Sequence, residues 1–163
     1  MFVQIYWIGP IQSGRLGIMP RPRGGDWLED EIDSLRRSGV DVVVSLLEDA
    51  ETRELELGEE GAFCEAKEMR FVNFPIKDRS VPSSRRDFIN LATQFAAALA
   101  HGQSIVIHCR QGIGRSSLLA ACVLVVLGLS PEQAFERIEE ARGCSVPDTK
   151  EQREWLGVNW VVP

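Results

Sequence analysis

The chain has 163 residues, 44% of them hydrophobic and 26% charged, which is ordinary for a globular protein and predicts one domain over residues 1–163. Its formal net charge of −6 argues against a general nucleic-acid binder, so no nucleic-acid partner is expected. A membrane span is not expected either, because the most apolar stretch, Leu118 to Leu127, has about half the length that a bilayer requires.

The first 25 residues divide into an apolar part and a glycine-rich part. Phe2 to Ile8 is rich in β-forming residues and predicts a first strand; it lacks a basic segment and a cleavage site, so a signal peptide is not expected. Residues 9–25 carry five glycines and three prolines, which predicts an extended loop. Arg15, Arg21 and Arg23 make this loop basic. It is expected to be a solvated surface loop, and the alternative is that it lines the site and helps to hold anionic substrates.

A helix and a strand are predicted next. Asp26 has the character of an N-cap with Glu29 at the capping-box position, and Gly39 is suited to end the helix. Val40 to Leu47 is apolar almost throughout, which is typical of a parallel strand covered on both faces. We therefore expect a buried strand here.

Residues 48–68 are strongly acidic and contain two predicted short helices, separated near Gly58 and Gly61. Acidic side chains on such helices usually form a solvated face, and the alternative is a surface that attracts a basic partner. Cys64 lies in the second helix and is expected to be a half-buried packing residue, with a redox partner for Cys109 as the alternative. The nine acidic residues are Glu48, Asp49, Glu51, Glu54, Glu56, Glu59, Glu60, Glu65 and Glu68.

A third strand is predicted from Arg70 to Phe74, and Asp78 follows its carboxyl end. Since α/β sheets place their functional sites at this end of the strands, Asp78 is a candidate general acid. Asp87 is a competitor, but it fits the first turn of the helix predicted from Arg85 to Ala100. A turn aspartate without a catalytic role is the alternative for Asp78.

Residues 104–118 combine a buried strand, a glycine-containing loop and the start of an apolar helix that reaches Leu127. A loop between a strand and a helix N-terminus can bind anions, because its backbone N–H groups and the helix dipole favour negative charge. We predict that this loop encircles one oxyanion. The residues expected to bind it are Arg110, Gln111, Gly112, Ile113, Gly114 and Arg115.

A cysteine at the mouth of this predicted anion site determines the expected chemistry. The positive surroundings would stabilise Cys109 as a thiolate, the nucleophilic form, and Arg115 offers a planar fork for two phosphate oxygens. The Ser116 hydroxyl can assist the sulfur as a leaving group, and His108 can support Cys109 through hydrogen bonds. These residues predict attack on phosphorus with a covalent cysteinyl-phosphate intermediate. The alternative is a structural cysteine beside a phosphate-like turn.

Two further helices are predicted near the end of the chain. Ser130 begins the first as an N-cap followed by proline, and Asp148 or Thr149 begins the second. Trp155 and Trp160 are expected to dock this end of the chain on the core. The four cysteines have neither metal-ligand nor disulfide spacing, so reduced thiols and a cytoplasmic location are expected.

One segment of the chain resembles the signature of the cysteine-based protein tyrosine and dual-specificity phosphatases. It reads His108-Cys109-x-x-Gly112-x-x-Arg115-Ser116. The resemblance covers about residues 40–156. Within it, the stretch from His108 to Leu156 is most similar to the cyclin-dependent-kinase-associated phosphatases, through Leu-Leu-Ala-Ala-Cys, Ser-Pro-Glu-Gln-Ala and a tail with Gln152. It implies an α/β fold, with a central, mostly parallel sheet and helices on both faces.

The resemblance also implies roles for residues outside the signature. Asp78 lies in Pro-Ile-x-Asp-x-x-x-Pro-Ser, which is similar to the acid loop of dual-specificity phosphatases, so it would be the general acid and then the general base. Gln152 resembles a glutamine that orients the hydrolytic water in several members of the family. An exposed helical glutamine is the alternative. The implied activity is hydrolysis of phosphate monoesters with no metal and no cofactor.

The expected substrate is a phosphorylated protein or peptide, carrying phosphotyrosine or phosphoserine and phosphothreonine. Two alternatives remain: a non-protein substrate, such as a phosphoinositide or an RNA 5′-triphosphate, and a phosphopeptide-binding module without turnover. The sequence leaves the oligomeric state open, and a monomer is the default expectation.

Overall fold

The computed structural model describes residues 3–157, in which five β-strands form one sheet. The strands are β1 (Tyr6–Ile11), β2 (Gly14–Met19), β3 (Val42–Ser45), β4 (Arg70–Asn73) and β5 (Ser104–His108). Their spatial order is β1-β2-β5-β3-β4, and every neighbouring pair is parallel except β1 with β2. The predicted mostly parallel sheet is therefore confirmed.

Helices cover both faces of this sheet. They are α1 (Leu28–Arg37), α2 (Asp49–Glu54), α3 (Glu60–Ala66), α4 (Arg85–Ala100), α5 (Arg115–Val126), α6 (Pro131–Arg142) and α7 (Lys150–Gly157). Successive strand residues point to opposite faces, so Val42 and Val44 pack in one core with α4, α5 and α6, while Val43 packs in a second core with α1 and α3. The predicted α/β fold with two covered faces is confirmed.

The N-terminal region differs from the prediction. The strand predicted from Phe2 to Ile8 begins at Tyr6 and runs to Ile11, and the region predicted as a loop, 9–25, contains the whole of β2. Glycine is required in β2 by close packing: a Cβ on Gly17 would lie 2.7 Å from an Ile5 side-chain carbon and 2.9 Å from the Trp7 ring. Two of the five glycines that suggested a loop, Gly14 and Gly17, therefore belong to a buried strand.

The helix boundaries are mostly as predicted, with one error. A 3₁₀ turn, Gly25–Trp27, precedes α1, and Asp26 lies inside this turn, so the Asp26 capping box is wrong. The predicted end of α1 is correct: Ser38 follows the helix, and Gly39 comes next with a φ of 87°. Ser84 and Ser130 cap α4 and α6 by accepting hydrogen bonds from backbone N–H groups three residues later.

Trp155 docks α7 on the core, as expected, because its ring meets Phe88 edge-on with 5.3 Å between the centroids. The other tryptophan of that prediction, Trp160, lies outside the described residues. Cys64 is completely buried, more than the half-buried position predicted, and burial raises the pKa of its thiol to about 12. Over residues 3–157, no helix combines the length and the apolar character needed to cross a membrane.

Candidate active site

The segment from Cys109 to Gly114, here called the anion loop, leaves the carboxyl end of β5 and leads into α5. In the parallel registers, His108 at the end of β5 lies beside Met19 at the end of β2 and Ser45 at the end of β3. Three strands therefore end together below the loop. Here lies a pocket of about 120 Å³, lined by Asp78, Arg79, Cys109, Arg110, Gln111, Ile113, Gly114, Arg115 and Asp148.

Cys109 lies at the bottom of this pocket. Its residue is only 3% exposed, and its Sγ lies 3.3 Å from the hydroxyl oxygen of Ser116. Ser116 is completely buried in the first turn of α5, so its hydroxyl faces the sulfur and is shielded from solvent. The structure thus brings these two predicted residues into the contact that the sequence suggested.

The guanidinium of Arg115 is buried and held in one orientation by three neighbours. Its Nη1 donates to Glu51 Oε1 at 2.7 Å and to the carbonyl oxygen of Ile76 at 2.8 Å, and its Nη2 donates to Glu51 Oε2 at 3.0 Å. Nη2 also lies 3.2 Å from Oδ1 of Asp78. Burial alone would raise the pKa of Glu51, but its hydrogen bond with Arg115 lowers it below the ordinary value.

His108 forms a second buried ion pair next to the nucleophile. Its Nε2 donates to Oε1 of Glu60 at 2.6 Å, and its Nδ1 lies 3.2 Å from the carbonyl oxygen of Cys109. Both ring nitrogens face acceptors, which favours the doubly protonated imidazolium. Burial opposes this charge, but the carboxylate of Glu60 outweighs it and raises the pKa of His108 above its ordinary value.

Two residues of the acidic segment are therefore part of the site and not of a solvated face. Glu51 and Glu60 are both buried, against the default interpretation of residues 48–68 as solvated. A buried charge requires a partner, and each of these carboxylates faces a buried cation from the signature. Once Arg115 and His108 are assigned to the interior, their need for buried countercharges is the signal that could have identified Glu51 and Glu60.

Asp78 reaches the pocket from a segment that we call the acid loop, residues 78–80. Its side chain is 52% exposed, which leaves it open to solvent and to a bound ester. The loop is fixed at two points: Arg79 forms an ion pair with Asp148 at 3.2 Å, and the carbonyl oxygen of Ser80 accepts a hydrogen bond from Nε2 of Gln152 at 2.9 Å. Both contacts connect the acid loop to the start of α7.

Gln152 is completely buried, so the alternative of an exposed helical glutamine is wrong. Its Oε1 accepts hydrogen bonds from the backbone N–H groups of Asp148 at 3.1 Å and Thr149 at 3.2 Å. Its amide therefore caps α7 and holds the acid loop at the same time. It is close to the anion loop, since a Cβ built on Gly114 would lie 3.1 Å from its Oε1.

The anion loop itself is supported from behind by the end of β2. Gly112 has a φ of 72°, and a Cβ there would lie 2.6 Å from the carbonyl carbon of Met19, so only glycine fits. The N–H of Arg21 donates to the carbonyl oxygen of Arg110 at 3.2 Å. Residues 20–21 thus support the loop from outside the pocket, and no residue of 9–25 lines the pocket itself.

Comparisons with known proteins identify the family of the chain. A model of the DSP-PTPase phosphatases of polymorphic toxin systems matches residues 17–129. Cyclin-dependent kinase inhibitor 3 of Rattus norvegicus is 33% identical over 84 residues, which cover 50% of this chain and 39% of that protein. The chain matches less than half the length of each of the first curated relatives.

Solved structures share the fold. A kinase associated phosphatase superimposes with a TM-score of 0.86 at 22% identity, covering 96% of this chain and 93% of that one. PTPMT1 in complex with PI(5)P superimposes with a TM-score of 0.74 at 23% identity, covering 93% and 92%. The resemblance to the cyclin-dependent-kinase-associated type is confirmed by the relative, and the first of these structures shares the fold. Since the family model covers well over half of it, the chain belongs to the DSP-PTPase phosphatases.

Proposed function

We propose that this protein is a phosphomonoester hydrolase that acts on phosphoproteins through a cysteinyl-phosphate intermediate at Cys109. One observation carries the proposal: Cys109, Arg115 and Asp78 meet at a single pocket around the anion loop. They supply a nucleophile, a cation for the phosphoryl oxygens and a proton donor. These three functions are required to transfer a phosphoryl group from an ester to a side chain.

In the first step, the sulfur of Cys109 attacks phosphorus and the bond from phosphorus to the ester oxygen breaks. Asp78 gives its proton to the leaving oxygen, which takes the electron pair of the broken bond. The phosphoryl oxygens are bound by Arg115 and by backbone N–H groups of Arg110, Gln111, Gly112, Ile113 and Gly114. This electrostatic stabilisation is expected to be the largest contribution to the rate.

In the second step, the carboxylate of Asp78 accepts a proton from water as the water oxygen attacks phosphorus. The sulfur–phosphorus bond breaks, and the hydroxyl of Ser116, 3.3 Å from Sγ, stabilises the departing thiolate. Gln152 is proposed to orient the hydrolytic water, as the family resemblance implies. It also holds the carbonyl of Ser80, and with it Asp78, beside the pocket. His108 supports Cys109 from within the core.

The proposed substrates are proteins that carry phosphotyrosine, phosphoserine or phosphothreonine. We propose that the enzyme acts on them in the cytoplasm and as a monomer. The exposed side chains of Asp78 and Arg79 leave the mouth of the pocket open, so phosphate can enter on side chains of different lengths. The similarity to cyclin-dependent kinase inhibitor 3 and to a kinase associated phosphatase favours protein over other substrates.

A phosphoinositide is the second candidate substrate, because the PTPMT1 structure similar to this chain carries PI(5)P. The charges at the pocket mouth favour the protein substrate. Arg110 donates to Glu54 at 2.9 Å and Arg79 pairs with Asp148 at 3.2 Å, so both cations are already neutralised. A headgroup with several phosphates, or an RNA 5′-triphosphate, would require additional cations there.

The test is release of phosphate from a small aryl phosphate in the presence of EDTA, under reducing conditions. The control is Cys144→Ser, since Cys144 is a half-buried cysteine outside the pocket. Wild type and this control should hydrolyse the ester at equal rates. Cys109→Ser should be inactive. Tight binding of phosphopeptides by wild type without phosphate release would instead identify a binding module.

The same wild-type protein then distinguishes the substrates. Phosphopeptides should be hydrolysed faster than PI(5)P presented in lipid vesicles or an RNA 5′-triphosphate. The opposite order would assign a non-protein substrate to the site.

A further inference from the structure

The outer side of the anion loop is held by an arginine that the sequence analysis did not identify. Arg142, the last residue of α6, donates from Nε to the carbonyl oxygen of Gly112 at 3.1 Å and from Nη2 to that of Gln111 at 3.3 Å. The neighbouring carbonyl, of Arg110, accepts from the N–H of Arg21 at 3.2 Å. Three consecutive carbonyls of the loop are thus bound by donors.

This pattern determines where the loop N–H groups point. In a trans peptide the carbonyl oxygen and the following N–H lie on opposite sides, and the cis bond of the described chain is Val146–Pro147, outside the loop. The three bound carbonyls therefore turn the N–H groups of Gln111, Gly112 and Ile113 away from Arg142 and Arg21. That direction is the one an encircled oxyanion requires.

Arg142 is itself held in place. Its guanidinium carbon lies 4.1 Å from the centroid of the Tyr6 ring on β1, a cation–π contact. The helix that carries it is followed at once by Gly143, whose φ is 78°. Protein contacts on two sides therefore hold the Arg142 side chain between β1 and the anion loop.

We propose that Arg142 is a positioning residue that preorganises the anion loop by holding the carbonyls of Gln111 and Gly112 outward. This inference rests on the proposed function of the loop as a phosphate site. Without the two donors, these peptides are free to rotate and present a carbonyl oxygen to the phosphate, which repels it. Arg142 would then affect oxyanion binding and the transition state, although it contacts no reacting atom.

The experiment measures binding of tungstate, a phosphate-like oxyanion, by calorimetry, so that it does not depend on turnover. Arg142→Met keeps most of the side-chain stem and removes the donors. Arg137→Met on the same helix is the control, since the Arg137 side chain donates to the carbonyl oxygen of Pro10 at 3.5 Å, away from the anion loop. Arg142→Met should bind tungstate at least about 10-fold more weakly, the loss expected for two charge-assisted hydrogen bonds. Arg137→Met should bind like wild type.

A second readout separates loop order from general stability. Iodoacetate is an anion and iodoacetamide is neutral, so the ratio of their rates of Cys109 alkylation reports the anion site. This ratio should fall in Arg142→Met and recover partly in Arg142→Lys. A stabilising role alone would lower the unfolding temperature and leave the ratio unchanged.

The outcomes distinguish two failures. Wild type that does not bind tungstate would contradict the proposed function itself. Wild type that binds tungstate, with Arg142→Met binding equally well, would overturn the role of Arg142. If Arg142→Met does not fold, Arg142→Lys takes its place. Its affinity for tungstate should be several-fold lower than that of wild type. An affinity equal to wild type would overturn the inference.

Discussion

Glu51 and Arg115 form a two-point ion pair beneath the pocket, with oxygen–nitrogen distances of 2.7 and 3.0 Å. The pair connects the first turn of α5 to α2, whose capping box places Glu51 at its third position. Arg115 has almost no exposure, so Glu51 provides the countercharge that allows the guanidinium to remain buried without substrate. The orientation of the fork therefore depends on an acidic residue 64 positions earlier.

Glu51→Gln should lower both stability and activity, because it leaves the buried guanidinium without a charged partner. We expect a loss of up to about 3 kcal/mol in the free energy of unfolding and a fall in kcat/KM of about 10-fold or more. The control is Asp49→Asn on the same helix, an exposed partner of Arg53 that should cost less than about 1 kcal/mol. Equal stability and activity of the two variants would contradict the role of Glu51.

The same pair should contribute to the acid sensitivity of the fold. Because the pKa of Glu51 is lowered in the folded state, its stabilisation is present above the ordinary value of 4.5 and is lost as pH falls through the folded pKa. The difference between wild type and Glu51→Gln in urea unfolding should therefore shrink as the pH falls below this range. A constant difference would argue against an ionised pair.

The Glu60–His108 pair should show the opposite pH dependence. The pKa of His108 is raised above 6.5, so its stabilisation is complete below 6.5 and is lost as pH rises through the folded value. Glu60→Gln should be less stable than wild type by about 3 kcal/mol or more near pH 6, and by less near pH 9. The control is Glu65→Gln, since Glu65 is exposed on the same helix and its replacement should show no such trend. If the stability lost in Glu60→Gln did not depend on pH, His108 would be neutral.

Asp78→Asn should reveal the general acid through the leaving group. The side-chain amide of asparagine is a far weaker acid than a carboxylic acid, so kcat should fall by about 100-fold or more for alkyl phosphates such as phosphoserine, whose leaving oxygens are strongly basic. An aryl phosphate with a weakly basic leaving oxygen needs less help in the first step. The loss should therefore decrease as the leaving group becomes more acidic, and an equal loss for every ester would assign another role to Asp78.

Much of this fold was predictable, because α4 and α6 begin at serine N-caps and the central strands are continuous apolar runs. The signature also located the pocket correctly, since a strand, loop and helix in sequence leave few arrangements for Cys109 and Arg115. The β1–β2 hairpin was not predicted, because glycine and proline usually indicate loops. A Cβ on Gly14 would lie 2.1 Å from the carbonyl oxygen of Gln103, a tertiary contact that the local sequence does not reveal.

The residues that support the site were harder to identify. Glu51 and Glu60 are two of nine acidic residues in one segment, and local composition does not distinguish a buried carboxylate from its solvated neighbours. Arg142 occupies the last turn of a helix, where a basic residue is expected to interact with the helix dipole. Its contact with Gln111, 31 positions away, depends on how α6 packs beside the loop.

The central claim is that phosphate passes through Cys109. Wild-type protein mixed with excess aryl phosphate and quenched in acid within the first turnovers should carry one phosphoryl group on the peptide containing Cys109, as read by mass spectrometry. The same peptide should be unmodified in Cys109→Ser. Turnover by wild type without any phosphorylated Cys109, or undiminished turnover by Cys109→Ser, would contradict the mechanism.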